Sequence, residues 1–390
     1  MTLFKLAFKN LLGAGIRTWL NVVVLSLSFV VIIWMQGLYK GMNNQAVTST
    51  IDVIYAGGQY WQESYDPYDP LTLQDAHGVL PDELKSLIKK EEATALLIIQ
   101  GTAYPQGRMM NLLIKGIAPD QKIISIPSHF LDKETKDIPA VIGTRMSEST
   151  GLKKGDTVTL RWRDANGTFD ARDATIVQVM RTTVQTIDQG QIWVPLERLR
   201  ELSRMEGEAT LVIVDKDIAN PSKTEGWEFK SLDFLLQDIK QLVQTKTAGA
   251  SIFYVILLLL AMLAIFNTQV LSIFRRRKEI GTLMAIGFTR AKVIWLFTIE
   301  GAMHAVLAAL VAALYGIPFL TWFSKTGWSL PESVDSYGFA IGEKLFPVYS
   351  AGLVIGTTVL VLVVTTIVSF IPTRKIAKLK PTDALRGKSS

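Results

Sequence analysis

Four apolar runs, 18–39, 251–274, 293–324 and 348–371, hold a single acidic residue, Glu300, among them. Each is long enough to cross about 30 Å of hydrocarbon as an α-helix, which takes roughly 20 residues. A helix suits that setting because it satisfies its backbone polar groups internally. Four transmembrane helices are therefore predicted. The first has a charged leader of 17 residues, an apolar run longer than the h-region of a signal peptide and no Ala-x-Ala-like site after it. It is expected to be retained as an anchor.

Between the first and second runs lies a long mixed segment. Short stretches rich in Val, Ile and Thr at 51–56, 95–100, 111–117, 157–163, 175–180, 191–194 and 209–214 read as strands, separated by turn signals such as Asn166-Gly167 and Gly155-Asp156. A mixed α/β domain inserted between helices 1 and 2 follows. Ahead of the second run, Leu232, Leu235, Leu236, Ile239, Leu242 and Val243 recur at helical spacing, and no Gly or Pro interrupts 228–248. This reads as an amphipathic stalk helix continuing into the membrane, or as a core helix that stops before it. At the N-terminus Phe4, Ala7, Phe8 and Leu11 share one face and Lys5 and Lys9 the other, the pattern of a helix lying in the inner interface, or of a plain extension of the first crossing.

Charge sets the orientation, since Lys and Arg near short loops stay in the cytoplasm. Residues 1–17 carry three basic and no acidic side chains, whereas 275–292 and 372–390 each carry six basic and one acidic. These parts are expected to be cytoplasmic, with both termini inside. The connection 325–347 holds Lys325 and Lys344 against Glu332, Asp335 and Glu343, so it is expected outside, together with the long domain. The resulting division is a cytoplasmic amphipathic helix 1–17, helix 1 at 18–39, an extracytoplasmic domain with stalk at 40–247, helix 2 at 248–274, a cytoplasmic coupling helix at 275–292, helix 3 at 293–324, an outer loop at 325–347, helix 4 at 348–371 and a cytoplasmic tail at 372–390.

Composition agrees with this partition. Residues 41–247 hold 23 basic and 29 acidic residues although the whole chain is +6, so its high pI of 9.2 belongs to the membrane-flanking parts. Basic residues there favour an anionic inner leaflet, and nucleic acid is not implied. Without cysteine, disulfides, thiolate metal sites and a Cys nucleophile are excluded, and the outer domain must be held by its own core. His77 and His129 are isolated and no carboxylate cluster has metal spacing. Glu300 and His304 lie one turn apart in the third crossing, where ionisable groups suggest function. Glu300 sits seven residues into its run, roughly 10 Å deep at 1.5 Å per residue, within reach of the interface. Tyr60, Trp61, Tyr65 and Tyr68, with Asp66, Pro67, Asp69 and Pro70, read as a packed aromatic loop, or as a surface for lipid or a partner.

The segment Arg275 to Gly287 holds the candidate chemistry. It opens on Arg276, Arg277, Lys278 and Glu279, continues with Ile280, Leu283, Met284 and Ile286, and has small residues at Gly281, Ala285 and Gly287. That is a polar end for docking and small positions for close packing. A plain positive-inside anchor would account for its basic residues alone.

Arg277-Lys278-Glu279-Ile280-Gly281 and Met284-Ala285-Ile286-Gly287, with Glu300 thirteen residues on, resemble the R-x-x-E-I-G-x-x-x-A-x-G signature of FtsX-like permeases, the membrane subunits of MacB-type ABC transporters, which have a Glu opening the third crossing. The closing motif P-x-R-x-A-x-x-x-P-x-x-A-L-R is similar to Pro372, Arg374, Ala377, Pro381, Ala384, Leu385 and Arg386, with Thr373, Lys375 and Ile376 as departures. Val141-Ile142-Gly143 and Gly151-Leu152 to Val158 resemble the family's outer-domain stretch, with Lys115-Gly116-Ile117 before it and Ser147 where Ala is usual.

The resemblance implies a non-catalytic membrane subunit whose ATPase sits on another chain, for no G-x-x-x-x-G-K-[ST] occurs here. It assigns ATPase coupling to Arg276, Arg277, Lys278, Glu279, Ile280, Gly281, Leu283, Met284, Ala285 and Gly287, and membrane-structural roles to Glu300, Pro372 and Pro381. This chain would bind no cofactor; ATP and Mg would sit on two copies of a cytoplasmic ABC ATPase. A second permease copy, identical or related, and a lipid, lipoprotein or periplasmic protein on the outer side complete the implied partners. The implied setting is the inner membrane, and the implied action is mechanical transmission to the outer domain in lipoprotein release or hydrophobic-substrate export. Two alternatives stand beside it, a non-transporting signalling permease that regulates a cell-wall hydrolase, and a membrane-anchored enzyme or sensor.

Overall fold

The computed structural model describes residues 15–133, 135–182, 184–218, 224–329 and 344–374. The amphipathic segment around Phe4 and Phe8, most of the 325–347 connection, and the tail after Arg374 with Pro381 lie outside the described residues. The chain divides into two compact units. One takes residues up to Met42, Val243–Trp328 and residues from Leu345 onward; the other takes Asn43–Leu242 with Ser329 and Lys344.

In chain order, α1 (Ile16–Thr50) runs into a π-helical turn, Ile51–Tyr55. Strands β1 (Gly58–Gln62) and β2 (Gly78–Val79), helix α2 (Asp82–Lys89), and strands β3 (Ala93–Ala103), β4 (Met110–Ile117) and β5 (Ile138–Gly143) follow. After α3 (Thr144–Thr150) come β6 (Thr157–Arg163), β7 (Phe169–Met180), α4 (Gln185–Asp188), β8 (Gln191–Pro195) and α5 (Leu196–Ser203). The short β9 (Glu208–Ala209) pairs with β2, and β10 (Leu211–Val214), β11 (Trp227–Lys230) and α6 (Leu232–Leu235) close the segment. Then come α7 (Gln237–Arg275), α8 (Arg277–Ala285), α9 (Arg290–Thr326) and α10 (Ala351–Thr373). Among the described residues four helices are long and apolar enough to cross a membrane: α1 with its π turn, α7, α9 and α10.

The sheet unit is mixed α/β. Among the described residues its main sheet has nine strands in the order β11-β1-β10-β3-β4-β8-β5-β7-β6, and β6 pairs back onto β3, so the six strands from β3 to β6 form a closed ring of pairings. Strand β3 makes this possible because it is long enough to fork: Ala93–Leu96 pairs with β10, while Gly101–Ala103 pairs with β6. At Gly101 a Cβ would strike the Ile114 side chain and come within 3.1 Å of the Arg161 carbonyl oxygen, so only glycine lets three strands meet there. Side chains alternate between two apolar clusters, Ile142, Ile192 and Val194 facing one, Val141 and Trp193 the other. Burial on both faces explains why these strands read as unbroken apolar runs rather than as alternating ones.

Most strands lie where the apolar runs predict them, but residues 51–56 do not form one. Ile51–Tyr55 closes α1 with a wide turn in which the Ala56 N–H donates to the Ile51 carbonyl at 2.7 Å, and Val53 and Ile54 pack on the second cluster. A short β-branched run has no period that separates helix end from strand, and here continuation of the helix wins. The Leu232-to-Val243 pattern also splits. Ser231 caps α6 at Phe234 N, and the chain leaves helix at Leu236 before α7 begins. His77 is not isolated, since its ring pairs with Glu208.

In the membrane-helix unit, α9 and α10 run antiparallel, with Thr298 hydroxyl-bonded to Thr373 at 3.1 Å. Ala305, Ala308 and Ala312 of α9 meet Val22, Leu25 and Phe29 of α1 and Ala261 and Ile265 of α7 in one cluster. Small residues let backbones approach where no hydrophobic effect separates helix from lipid. Polar links add specificity: Asn21 donates to Thr268 at 2.7 Å and Thr357 donates to Gln36 at 3.0 Å. Trp34 stacks on Trp328 at 5.4 Å, and Phe323 stands edge-on to both.

One position in the sheet unit works against stability. Lys115 is flanked by Ile98 on β3 and Trp193 on β8, with its ammonium 5.2 Å from the Trp193 ring. Lost hydration lowers its pKa from 10.5 to about 8. Between these values the unfolded chain holds a proton that the folded chain has released, so raising the pH through this window favours folding. Lys115→Met is expected to raise the melting temperature most below about pH 8, with the gain shrinking toward pH 10.5, where both states of the parent are neutral. Thermal unfolding of parent and variant across that range checks it.

Candidate functional site

Helix α7 ends at Arg275 because Arg276 leaves the helical region, with φ −97° and ψ 19°, and serves as the N-terminal flank of α8. Helix α8 stops two turns later. The Phe288 N–H returns to the Leu283 carbonyl at 3.0 Å and that of Gly287 to Met284 at 3.2 Å, which satisfies carbonyls that the helix end leaves open. Gly287 adopts φ +99°, a conformation that favours glycine, and Thr289 then caps α9 by accepting from Lys292 N. The result is a short helix held between two long ones by a one-residue break and a glycine turn.

The inner side of this elbow is packed. Ile280 is fully buried with Ile273 of α7 and Val293 and Phe297 of α9, and Leu283, Met284, Phe288 and Ile294 surround them. Gly281 is buried beside Ile280. The outer side is open: Lys278, Glu279, Ala285 and Gly287 are exposed, and Ile286 keeps 69 % of its surface free. Arg277 lays its guanidinium 4.4 Å from the Phe274 ring.

Arg276 ties the three helices together. Its Nη1 donates to both carboxylate oxygens of Glu300 on α9, at 3.0 and 2.9 Å, and its Nε donates to Glu279 of α8 at 2.7 Å. The guanidinium also sits 4.9 Å from the Phe297 ring. Glu300 is 6 % exposed at its side chain, Arg276 22 % and Glu279 61 %, so the triad grades from a buried carboxylate to a solvent-facing one. A charge pair out of water stays ionised only when geometry and hydrogen bonding compensate the lost hydration, which the doubly bonded Nη1 provides.

The sequence motif names all three residues but not their bonds. Arg276 and Glu300 are 24 positions apart, and only the antiparallel return of α9 brings them together. Phe297, absent from the motif, completes the clamp, and its position one turn before Glu300 was the available signal. Pro372 is buried near the end of α10, on the level of Thr298, and does not join the triad. His304 donates its Nδ1–H to the Glu300 backbone carbonyl at 3.0 Å rather than meeting the Glu300 carboxylate. Among the described residues no three His, Cys, Asp or Glu side chains gather as a metal ion would need.

Residues 251–381, which contain the elbow, match the FtsX-like permease C-terminal family. The chain is similar to the macrolide export ATP-binding/permease protein MacB of Vibrio parahaemolyticus, 27 % identical over 236 residues, covering 56 % of this chain and 34 % of that protein. The MacB protein of Psychrobacter arcticus is 23 % identical over 218 residues, covering 52 % and 30 %. An uncharacterised ABC transporter permease of Methanocaldococcus jannaschii is 26 % identical over 167 residues, covering 41 % and 39 %. The chain thus spans about a third of the length of the MacB relatives that it matches.

Removing one partner of a buried ion pair strands the other charge, at about 3–5 kcal/mol. Glu300→Ala is therefore expected to lower stability by about that amount, while Arg276→Met combined with Glu300→Leu, which leaves no stranded charge, recovers most of it. Chemical or thermal unfolding of the parent and the two variants in one detergent measures the difference. Equal losses in the single and double variants would mean that the pair is not buried as described.

Proposed function

Since residues 251–381 are an FtsX-like permease domain and the chain is an ABC transporter permease of the FtsX/MacB type, we propose that α8 is where a separate cytoplasmic ATPase pushes on it. The carrying observation is the triad. Arg276 grips Glu300 on α9 and Glu279 on α8 while following α7 directly, so a displacement of α8 is felt by both long helices. The open face with Lys278, Glu279, Ala285 and Ile286 offers two charges and an exposed apolar side chain to a docking groove. Interfaces of this kind pair a small apolar anchor with a polar rim.

Orientation follows from two features. The elbow lies in a strongly basic short segment, 275–292, which stays inside by the positive-inside rule. The aromatic group Trp34, Phe323 and Trp328 involves the other end of α9, as amphipathic rings do at a membrane–water boundary. The sheet domain is then extracytoplasmic, and α7, helical from Gln237 to Arg275, is the rod through which movement reaches it. No cofactor is needed on this chain, as ATP and Mg belong to two copies of the ATPase.

The exposed apolar face of α7 with Ile252, Phe253, Leu259, Leu260 and Leu263 suits a second permease copy in the membrane. The cargo in this reading is a lipoprotein or another hydrophobic molecule handled on the outer side of the inner membrane, and relatives named for macrolide export support an outward task.

The chain has no cysteine, so single introduced thiols report topology cleanly. Lys278→Cys is expected to be labelled only from the cytoplasmic side and Lys153→Cys only from the opposite one; labelling of both from one side would overturn the reading. Glu279→Lys should leave the protein inserted and bound to its ATPase but reduce ATP-driven release of cargo to the level seen without ATP. Undiminished release by that variant would remove α8 from the pathway. Copurification of a cell-wall hydrolase in place of lipidic cargo would point to signalling instead of transport.

A further inference from the structure

Just above the triad, three helices turn polar groups toward one another without bonding them. Gln269 of α7 is 2 % exposed, His304 of α9 is 4 %, and Thr365 and Ser369 of α10 are fully buried. Yet Gln269 Oε1, His304 Nε2, Thr365 Oγ1 and Ser369 Oγ have no hydrogen-bond partner among the described residues. Gly301 brings two of them close: a Cβ there would overlap the Ser369 side chain and lie 2.9 Å from Gln269 Nε2. Thr298 meets Thr373 one turn below, so on the antiparallel pair the next turn up brings His304 to the level of Thr365.

We propose that these four side chains line a buried water site between α7, α9 and α10. The chemistry selects the ligand. His304 Nδ1 faces the Glu300 carbonyl, an acceptor, so in the neutral ring Nδ1 carries the proton and Nε2 accepts. Gln269 Oε1 accepts as well. Two acceptors are thus set against two hydroxyls that can donate one hydrogen each, with neither hydroxyl bonded to them. A molecule that donates twice and accepts twice bridges all four, and water does so without bringing charge into the membrane. Left dry, each group would bear the desolvation penalty of an unmade hydrogen bond. Above, Ile265, Ala305 and Val361 shut the site off in apolar packing. Water held here lets the three helices exchange hydrogen bonds when they shift, without a dry unsatisfied intermediate.

Hydroxyl-radical footprinting of the full chain in lipid nanodiscs, with radicals made in place from bound water by a synchrotron pulse, reads the site. His304 is expected to oxidise several-fold faster than Phe297 and Phe29, which are as deeply buried. Oxidation no faster than theirs would overturn the proposal. Gly301→Ala, which crowds the site, should abolish the excess. If that variant does not fold, Thr365→Val decides: loss of a water ligand lowers the melting temperature, whereas relief of a dry orphaned hydroxyl raises it. A rise in the parent's melting temperature with sodium over choline would identify a cation site and also refute the water.

Discussion

The bond between Arg276 and Glu300 is the constraint on which the membrane half depends. A carboxylate two turns inside an apolar run is costly unless a cation reaches it, and the basic elbow of the preceding connection is the nearest source of one. Because the cation is the first residue after α7, satisfying Glu300 fixes where α7 must end. It also fixes the direction in which α8 leaves, and the register of α9 against both. Phe297 and Ile280 then fill the corner that this geometry creates. The glycine turn at Gly287 and the Thr289 cap are local devices that let the chain reverse within the few residues available. The ion pair sets position and the apolar corner supplies most of the packing.

Much of this was legible from the residues. The four apolar runs mark the long helices because length and absence of charge are strong signals in a bilayer. The elbow's helix, glycines and acidic partner are all visible in the motif. What cannot be read is which of its five charges is internal. Arg275, Arg276, Arg277 and Lys278 look equivalent in one dimension, and only the return of α9 selects Arg276 for Glu300. Phe297 is one aromatic residue among several in an apolar run, and only its place one turn before Glu300 sets it apart.

The sheet domain shows the complementary limit. Strands buried on both faces, such as Ala93–Ala103 and Leu211–Val214, announce themselves by composition. Those with polar or glycine-rich sequence, β1 with Gly58-Gln59-Tyr60-Trp61-Gln62 and β11 with Trp227-Glu228-Phe229-Lys230, are held by pairing with each other and with β10, a non-local effect without a local pattern. The closed ring is likewise invisible, since it depends on one residue, Gly101, allowing β3 to serve two neighbours. The Ile51–Tyr55 turn misleads for a related reason. Its β-branched composition favours a strand, but it follows an uninterrupted helix, and adding one more turn costs less than ending the helix and starting again.

A bundle that transmits movement faces opposed demands. It must hold its register, which the Arg276 triad and the Asn21–Thr268, Gln36–Thr357 and Thr298–Thr373 contacts secure. It must also permit displacement, which large interlocking side chains would resist. The seam between α9 and its neighbours resolves this by residue size. Ala305, Ala308 and Ala312 present a nearly smooth surface to α1 and α7, and Gly301 removes the remaining obstacle against α10. Directional bonds hold the Arg276 end of α9, and small residues line its contact with α1 and α7 further along. In the proposed mechanism a push on α8 therefore enters α9 through its bonded Arg276 end, and the close packing of Ile280 and Phe297 there passes the strain on.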